Sequence, residues 1–317
     1  MRAAILILVL LSSQALAQTW PTRQVRLVST ASPGQSIDIM LRLVADRLSK
    51  KLDRGFYVEN MPGGLGVIAA QHAARSAPDG YTFYLGGLGF IATDRHTIKS
   101  LPYDPDRDFV PVAKLYDSGA FSVAVHPDVP VKTLAELIAL AKAHPGKLSM
   151  GVETVGAPSI AAQWFMKEAG IEMVAVPYKI ATQMVQDTAA GRTQVAVSSV
   201  PLVENHMRTG KLRVLGVTTP RRLPTLPDVP MVSETLPGFR VGGLGILMAP
   251  AGTPPDIVQR MNREVDAVVK EPEYVKRLAS FGFVVTDAGT AQSIAEFIRT
   301  ERQNWDRIMT TLNIKPQ

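Results

Sequence analysis

Short apolar runs and amphipathic segments alternate along the first part of the chain. Residues 25–29, 56–58 and 82–85 are rich in β-branched and aromatic side chains and are bounded by Gly, Pro or charged residues, which predicts three strands. Residues 36–51 carry apolar side chains at helical spacing, and residues 67–75 predict a second helix. Strands that alternate with helices favour a parallel sheet covered by helices.

The same alternation restarts near residue 121 and predicts a second α/β unit. Thr133 is the expected N-cap of a helix, because Glu136 follows it by three residues. The expected strands are residues 121–125, 148–151, 174–176, 194–197 and 212–217, and the expected helices are residues 133–143, 158–169 and 181–190.

Residues 220–254 are rich in proline, which makes the segment a poor helix and a suitable crossing between the two units. The rest of the chain is predicted to be helical and to return to the first unit. These final helices are residues 256–269, 274–280 and 293–311. The pattern predicts a hinged clamp whose lobe I comprises residues 18–117 and 227–317 and whose lobe II comprises residues 118–226.

The first residues are typical of a secretory signal peptide. A positive charge at Arg2 precedes the apolar residues 3–11, and the small-x-small motif at residues 15–17 supplies a cleavage site. The apolar run is too short to span a bilayer. A buried N-terminal helix is the alternative interpretation. We expect residues 1–17 to be removed on export to the periplasm. The mature chain is expected to be soluble, because no cysteine follows the cleavage site for lipid attachment.

Composition excludes several functional classes. The chain has no cysteine, which excludes disulfides, thiol catalysis and Cys-ligated metals. The formal charge is +6, but the basic residues are scattered along the chain and mixed with acidic ones. Nucleic-acid binding typically uses basic residues that are clustered in a stripe. Histidines are isolated, and the Gly-x-Ser-x-Gly, Ser-x-x-Lys and Walker patterns are missing. We therefore predict no metal, no cofactor and no catalytic residue; a periplasmic hydrolase whose triad assembles in space is the remote alternative.

One glycine-rich segment imitates a dinucleotide-binding fingerprint. Gly64, Gly66 and Ala69 follow a predicted strand with the spacing Gly-x-Gly-x-x-Ala. The strand is the second in the series, and no acidic residue closes a convincing strand about twenty residues later. A structural turn is the favoured interpretation.

Two turns that follow a strand and open a helix are candidate anion sites, residues 30–36 and residues 151–159. The first N–H groups of a helix lack partners within the helix and carry partial positive charge, so they favour carboxylates. An ordinary capped turn is the alternative for each, but one such turn per lobe is suited to a clamp on a bifunctional anion. Residues 86–90 and 178–182 are further candidates, because the glycines of the first segment permit close approach and Tyr178 in the second offers a hydroxyl and a flat ring.

Several short motifs occur in order along nearly the whole chain. They include Val58-Glu59-Asn60, Pro78-Asp79-Gly80-Tyr81-Thr82, Leu101-Pro102-Tyr103-Asp104-Pro105, Val176-Pro177-Tyr178-Lys179 and Ala249-Pro250-Ala251-Gly252-Thr253-Pro254. With these motifs the chain resembles the Bug-type solute receptors, the extracytoplasmic binding components of tripartite tricarboxylate transporters.

The resemblance implies a type II periplasmic-binding-protein fold that holds a small organic carboxylate between its lobes and delivers it to a membrane permease. A receptor that signals to a sensor kinase is the alternative. The family's ligand loops correspond to residues 31–38, 86–91, 155–159 and 178–182. The expected ligand-binding residues are Ser32, Pro33, Gly34, Gln35, Ser36, Asp38, Gly87, Leu88, Gly89, Val155, Gly156, Ala157, Ser159, Tyr178, Ile180, Thr182 and Ser199.

The chain departs from the family pattern inside these loops. Ser32-Pro33-Gly34-Gln35 stands where the family usually has Pro-Pro-Gly-Gly, Ile180 replaces a glycine, and Met61 replaces a common arginine. Ser198-Ser199 occupies a strand end where an aspartate is frequent. An isoleucine narrows the cleft or makes it more apolar, and the missing aspartate removes a partner for a ligand amine. These departures favour a carboxylate without an amine.

Overall fold

The computed structural model describes residues 20–154 and 156–316, which form two lobes, each with a five-stranded sheet. The strands are β1 (Val25–Ser29), β2 (Phe56–Asn60), β3 (Thr82–Gly87), β4 (Phe109–Tyr116), β5 (Ser118–Gly119), β6 (Phe121–Val125), β7 (Ser149–Glu153), β8 (Val174–Tyr178), β9 (Val195–Ser199), β10 (Arg213–Val217), β11 (Gly245–Pro250) and β12 (Phe283–Val284). The strand order is β2-β1-β3-β11-β4 in the first lobe and β10-β6-β9-β7-β8 in the second.

Helices cover the two sheets. They are α1 (Ser36–Leu52), α2 (Val67–Ala74), α3 (Asp94–Thr97), α4 (Leu134–Ala143), α5 (Gly156–Ala169), α6 (Ala181–Ala189), α7 (Val200–Arg208), α8 (Pro255–Val269), α9 (Pro272–Ser280) and α10 (Ala291–Thr311). Single helical turns occur at Gly64–Gly66, Gly89–Thr93 and Val232–Glu234. Every predicted strand and helix is present, with ends within two residues of the prediction. Thr133 caps α4 and forms a reciprocal capping box with Glu136, as predicted.

The prediction of parallel sheets is wrong in part, because both sheets are mixed. β1 pairs in parallel with β2 and β3, whereas β11 is antiparallel to β3 and β4. In the second lobe, β7 is parallel to β8 and β9, but β6 is antiparallel to β9 and β10. β11 and β6 are the strands with which the chain enters each lobe. They start at the edge where the parallel strands end, and therefore run in the opposite direction.

The chain passes between the lobes immediately after β4 and again between β10 and β11. At the crossing, β5 pairs with β12, and the Gly119 N–H donates to the Gly243 carbonyl at 2.7 Å. After β11, helix α8 packs on β4 and α1, and α10 packs on β4, so the C-terminal helices return to the first lobe. The lobe limits at residues 117/118 and 226/227 stay a prediction.

Contacts between α5 and the first lobe's segments lie beside the crossing. The Phe165 and Phe239 rings are 6.4 Å apart, and the Arg307 guanidinium lies 5.1 Å from the Trp164 ring.

Among the described residues, we find no helix that combines the length and the apolar character needed to cross a membrane. The predicted signal peptide at residues 1–17 lies outside the described residues.

Candidate functional site

The carboxyl ends of the parallel strands in both lobes lie beside the crossing segments. Ser29 at the end of β1 is paired with Asn60 at the end of β2, and Gly87 at the end of β3 is paired with Gly245 at the start of β11. In the second lobe, Ser199 at the end of β9 is paired with Phe121, which follows the crossing directly. The loops that follow these strands therefore border the cleft, which is where open α/β sheets bind ligands.

The turn between β1 and α1 is held by a buried carboxylate. Asp38 is 1 % exposed and accepts hydrogen bonds from the Gly34 N–H, the Arg42 Nε and the Asn60 Nδ2 at 2.8, 3.0 and 2.8 Å. Asn60 also donates to the Ala31 carbonyl and accepts from Arg42. Burial raises the pKa of Asp38, but these hydrogen bonds outweigh burial and hold the pKa below its ordinary value. Asp38, predicted to contact ligand, is placed to position the turn.

The exposed part of this turn is formed by Pro33, Gly34 and Gln35, while Ser32 and Ser36 are partly buried. The Ser32 N–H donates to the Gln35 Oε1 at 3.0 Å, and Gln35 makes no side-chain hydrogen bond to the first turn of α1. The N-terminus of α1 is therefore not capped by the residue that precedes it. The charge of Arg42 offsets that of Asp38, so the partial positive charge of the helix end is retained.

The glycines at the end of β3 differ in the space around them. A Cβ at Gly89 would lie 2.6 Å from the Asp94 Oδ1, and Asp94 is a buried carboxyl that accepts from the Tyr103 hydroxyl at 3.1 Å. Burial raises the pKa of Asp94, against the effect of that hydrogen bond. A Cβ at Gly87 would meet only the Leu244 carbonyl oxygen, at 3.9 Å, and Leu88 packs against the apolar core. Among the three glycines of this loop, only Gly87 leaves open space at the position that a Cβ would take.

In the second lobe, the turn between β7 and α5 presents a glycine at the helix N-terminus. Gly156 is exposed and has φ +83°, and the nearest neighbour of a Cβ placed there would be the Pro158 Cδ, at 3.6 Å. The first turn of α5 contains no acidic residue. Ala157 is partly buried, and the Ser159 hydroxyl, 9 % exposed, accepts from the Gln163 Nε2 at 3.2 Å. Val155, also predicted here, lies outside the described residues.

The remaining predicted residues of the second lobe differ in exposure and in hydrogen bonding. The Tyr178 hydroxyl donates to the Asp187 Oδ2 at 3.0 Å, so its proton is already engaged and is not offered to a ligand carboxylate. Ile180 is 58 % exposed at the start of α6, and Thr182 is exposed in its first turn. Ser199 precedes α7 without capping it through its side chain. These residues border the cleft, and their contact with a ligand stays a prediction.

Glu153 is a candidate that sequence reasoning missed. It ends β7 at the cleft edge, is paired with Tyr178 on β8, and is partly buried. Burial raises the pKa of its carboxyl. An acidic residue at the carboxyl end of a parallel strand was the available signal.

A cavity of about 660 Å³ lies between the lobes and is here called the interlobe cavity. From the first lobe it is lined by Gly64, Leu65, Val67, Ile68, Thr97, Ile98, Ile314 and Lys315, and from the second by Thr154, Gly156, Ser159, Ile160 and Gln163. Of the predicted site residues, Gly156 and Ser159 line it. Those in the loops at residues 32–38, 87–89 and 178–182 and at Ser199 do not.

The segment at residues 63–68, which we predicted to be a structural turn, also contributes to the wall of the interlobe cavity. Gly63, Gly64, Leu65 and Gly66 all have positive φ, which explains the glycine run. A Cβ at Gly66 would lie 3.0 Å from the Thr30 Cγ2, so the turn packs against the loop that follows β1. An apolar residue between glycines, where the backbone turns left-handed, was the only local signal for a cleft-lining role.

Comparison with solved structures confirms the two-lobed type II fold. The R. palustris protein Rpa4515, solved with adipate, is 33% identical, with a TM-score of 0.75 over 94% of this chain and 100% of that chain. MatC from Rhodopseudomonas palustris, solved with bound malate, is 27% identical, with a TM-score of 0.68 over 91% of this chain and 99% of that chain.

Sequence comparison gives the same relationship. Protein BugT of Bordetella pertussis is 30% identical over 302 residues, which cover 94% of this chain and 92% of that protein. Residues 40–314 match the family described as "Tripartite tricarboxylate transporter family receptor". The Bug-type resemblance inferred from the motifs is thereby confirmed, and the chain belongs to the tripartite tricarboxylate transporter receptor family.

Proposed function

We propose that this protein is a periplasmic solute receptor that binds a small organic carboxylate between its lobes and releases it unchanged to a membrane permease. The observation that carries the proposal is a pair of turns, residues 30–36 in the first lobe and residues 151–159 in the second, each of which follows the carboxyl end of a parallel strand and opens a long helix. The helix N-termini supply N–H donors and partial positive charge from both sides of one cleft.

Charge distribution supports an anionic ligand. The first turn of α5 has no acid, and the single acid in the first turn of α1, Asp38, is offset by Arg42. Glu153 precedes α5 at the end of β7, and burial raises the pKa of its carboxyl, which favours the uncharged form. The related proteins solved with adipate and malate hold dicarboxylates of six and four carbons. A small organic carboxylate with a carboxyl group at a helix N-terminus is consistent with both observations.

A thermal-shift screen of the refolded mature chain against carboxylates, their amides and amino acids tests the proposal. A ligand at about 100 times its dissociation constant adds about 2.7 kcal/mol to the free energy of unfolding. We expect the melting temperature to rise with one or more carboxylates and to stay unchanged with the matching uncharged amides. Equal shifts with acid and amide, or no shift with any carboxylate, would contradict the proposal.

A further inference from the structure

We propose that the interlobe cavity receives an apolar tail of the bound ligand, so that this protein prefers carboxylates with an extended hydrocarbon part over short ones. The inference rests on the proposed function, since it assumes that a carboxyl group is held at the N-terminus of α5. It adds the chemical class of the rest of the ligand.

The lining of the cavity is mainly aliphatic. Its apolar side chains are Leu65, Val67, Ile68, Ile98, Ile160 and Ile314, and Lys315 is the only charged residue among the described residues that line it. The polar side chains among its lining residues are Thr97, Thr154, Ser159 and Gln163, and the Gln163 amide donates to the Ser159 hydroxyl within the wall itself. Such a surface gains free energy when it covers hydrocarbon, and it offers few partners to a second charged group.

Two of the apolar side chains are unusually exposed. Leu65 is 81% exposed and Ile68 is 52% exposed, whereas most large apolar residues of the described chain are buried. Leu65 also has φ +54° and ψ +24°, a backbone conformation that residues other than glycine and asparagine adopt rarely. A leucine held there, in solvent and between glycines, is explained if a ligand covers it.

The cavity is continuous with the candidate anion site. Thr154, Gly156 and Ser159 belong to the turn that opens α5 and also line the cavity. Ile160 and Gln163 extend the same wall along the first turns of α5. A carboxyl group at Gly156 would therefore direct the rest of its ligand along α5 towards Leu65, Ile68 and Ile314. A volume of about 660 Å³ is within the range of pockets that enclose small organic ligands.

Calorimetric titration with straight-chain monocarboxylates of four to ten carbons tests the inference. Burial of one methylene strengthens binding about fourfold, so we expect the dissociation constant to fall by about that factor per carbon until the cavity is filled. The double variant Leu65→Asn, Ile68→Ser should flatten this dependence while it leaves the shortest acids unaffected. Asparagine tolerates the left-handed backbone at residue 65, so the variant should fold. Val174→Ser, at a strand residue that is also 52% exposed but does not line the cavity, is the matched control and should keep the wild-type dependence.

Three results would overturn the inference while the proposed function stands. The first is an affinity for carboxylates that is independent of chain length, and the second is a chain-length dependence that survives in the double variant. The third is that dicarboxylates bind more tightly than monocarboxylates of equal length and lose that advantage in Lys315→Ala. The last result would place a second carboxylate, not a hydrocarbon tail, in the cavity. If no carboxylate of any length binds, the proposed function itself fails.

Discussion

Replacing Gly156 by leucine is expected to weaken carboxylate binding by about thirtyfold, which corresponds to loss of about 2 kcal/mol from charge-assisted hydrogen bonds. The side chain would stand at the N-terminus of α5, where the ligand must approach the backbone closely. The fold should persist, because only the Pro158 Cδ lies near the new Cβ, at 3.6 Å. The left-handed backbone should cost about 1–2 kcal/mol of stability. Calorimetric titration with the best carboxylate of the thermal-shift screen measures the effect on binding.

Gly146→Leu is the matched control. Gly146 also has a positive φ, +68°, and nothing lies within 4 Å of the position that its Cβ would take. It precedes β7 and so lies at the opposite edge of the sheet from the cleft. We expect a similar loss of stability with unchanged affinity. Equal affinities for the two variants would show that the N-terminus of α5 is not part of the site.

Replacing Asp38 by alanine is expected to lower the free energy of unfolding by about 2–4 kcal/mol and to weaken carboxylate binding at least about tenfold. The change leaves the Gly34 N–H, the Asn60 amide and the Arg42 guanidinium without their shared acceptor. The turn between β1 and α1 then loses its fixed shape. Denaturant unfolding and titration with the same carboxylate measure the two effects.

Asp46→Ala is the control for this variant, because Asp46 is an acid on the same helix that is exposed and pairs with Lys50. Its loss should change the free energy of unfolding by less than about 1 kcal/mol.

The contribution of Asp38 to stability is expected to depend on pH, because the pKa of its carboxyl is lowered in the folded protein. The ionised form stabilises the fold above the ordinary pKa of about 3.9, and this contribution is lost as the pH falls through the pKa of the folded state. The difference in stability between the wild type and Asp38→Ala should therefore begin to shrink as the pH falls below about 4. A difference that is independent of pH would contradict the assigned role.

The order of strands and helices could be predicted because most elements carry their own local pattern. Two strands that were not predicted have physical causes. β11 is uniformly apolar and buried, but it lies in the proline-rich stretch that we interpreted as crossing chain only. β4 contains Pro111, which disfavours a central strand, yet β4 is at the edge of its sheet, where proline is tolerated. Strand direction depends on where the chain enters each lobe, which no local pattern records.

The candidate site could be predicted as loops but not as side-chain contacts. The turns at residues 30–36 and 151–159 could be predicted because a strand, a glycine and a helix start follow one another in the sequence. The burial of Asp38 depends on Asn60 and Arg42, and the orientation of the Tyr178 hydroxyl depends on Asp187. The interlobe cavity brings Leu65 together with Ile160 and Ile314, which are distant in sequence and become neighbours only through the packing of the lobes.

A receptor that binds a carboxylate between two hinged lobes is expected to close on it, and the distance between the lobes tests this most directly. The chain has no cysteine, so Lys50→Cys and Lys142→Cys, exposed positions on α1 and α4, can be spin-labelled as a unique pair. Pulsed electron resonance is then recorded with and without the carboxylate that raises the melting temperature most. A pair within the first lobe, Lys50→Cys with Lys276→Cys, is the control and should not change. We predict a shorter distance between the lobes with ligand bound. An unchanged distance, under conditions where the melting temperature shows that the ligand is bound, would contradict the account.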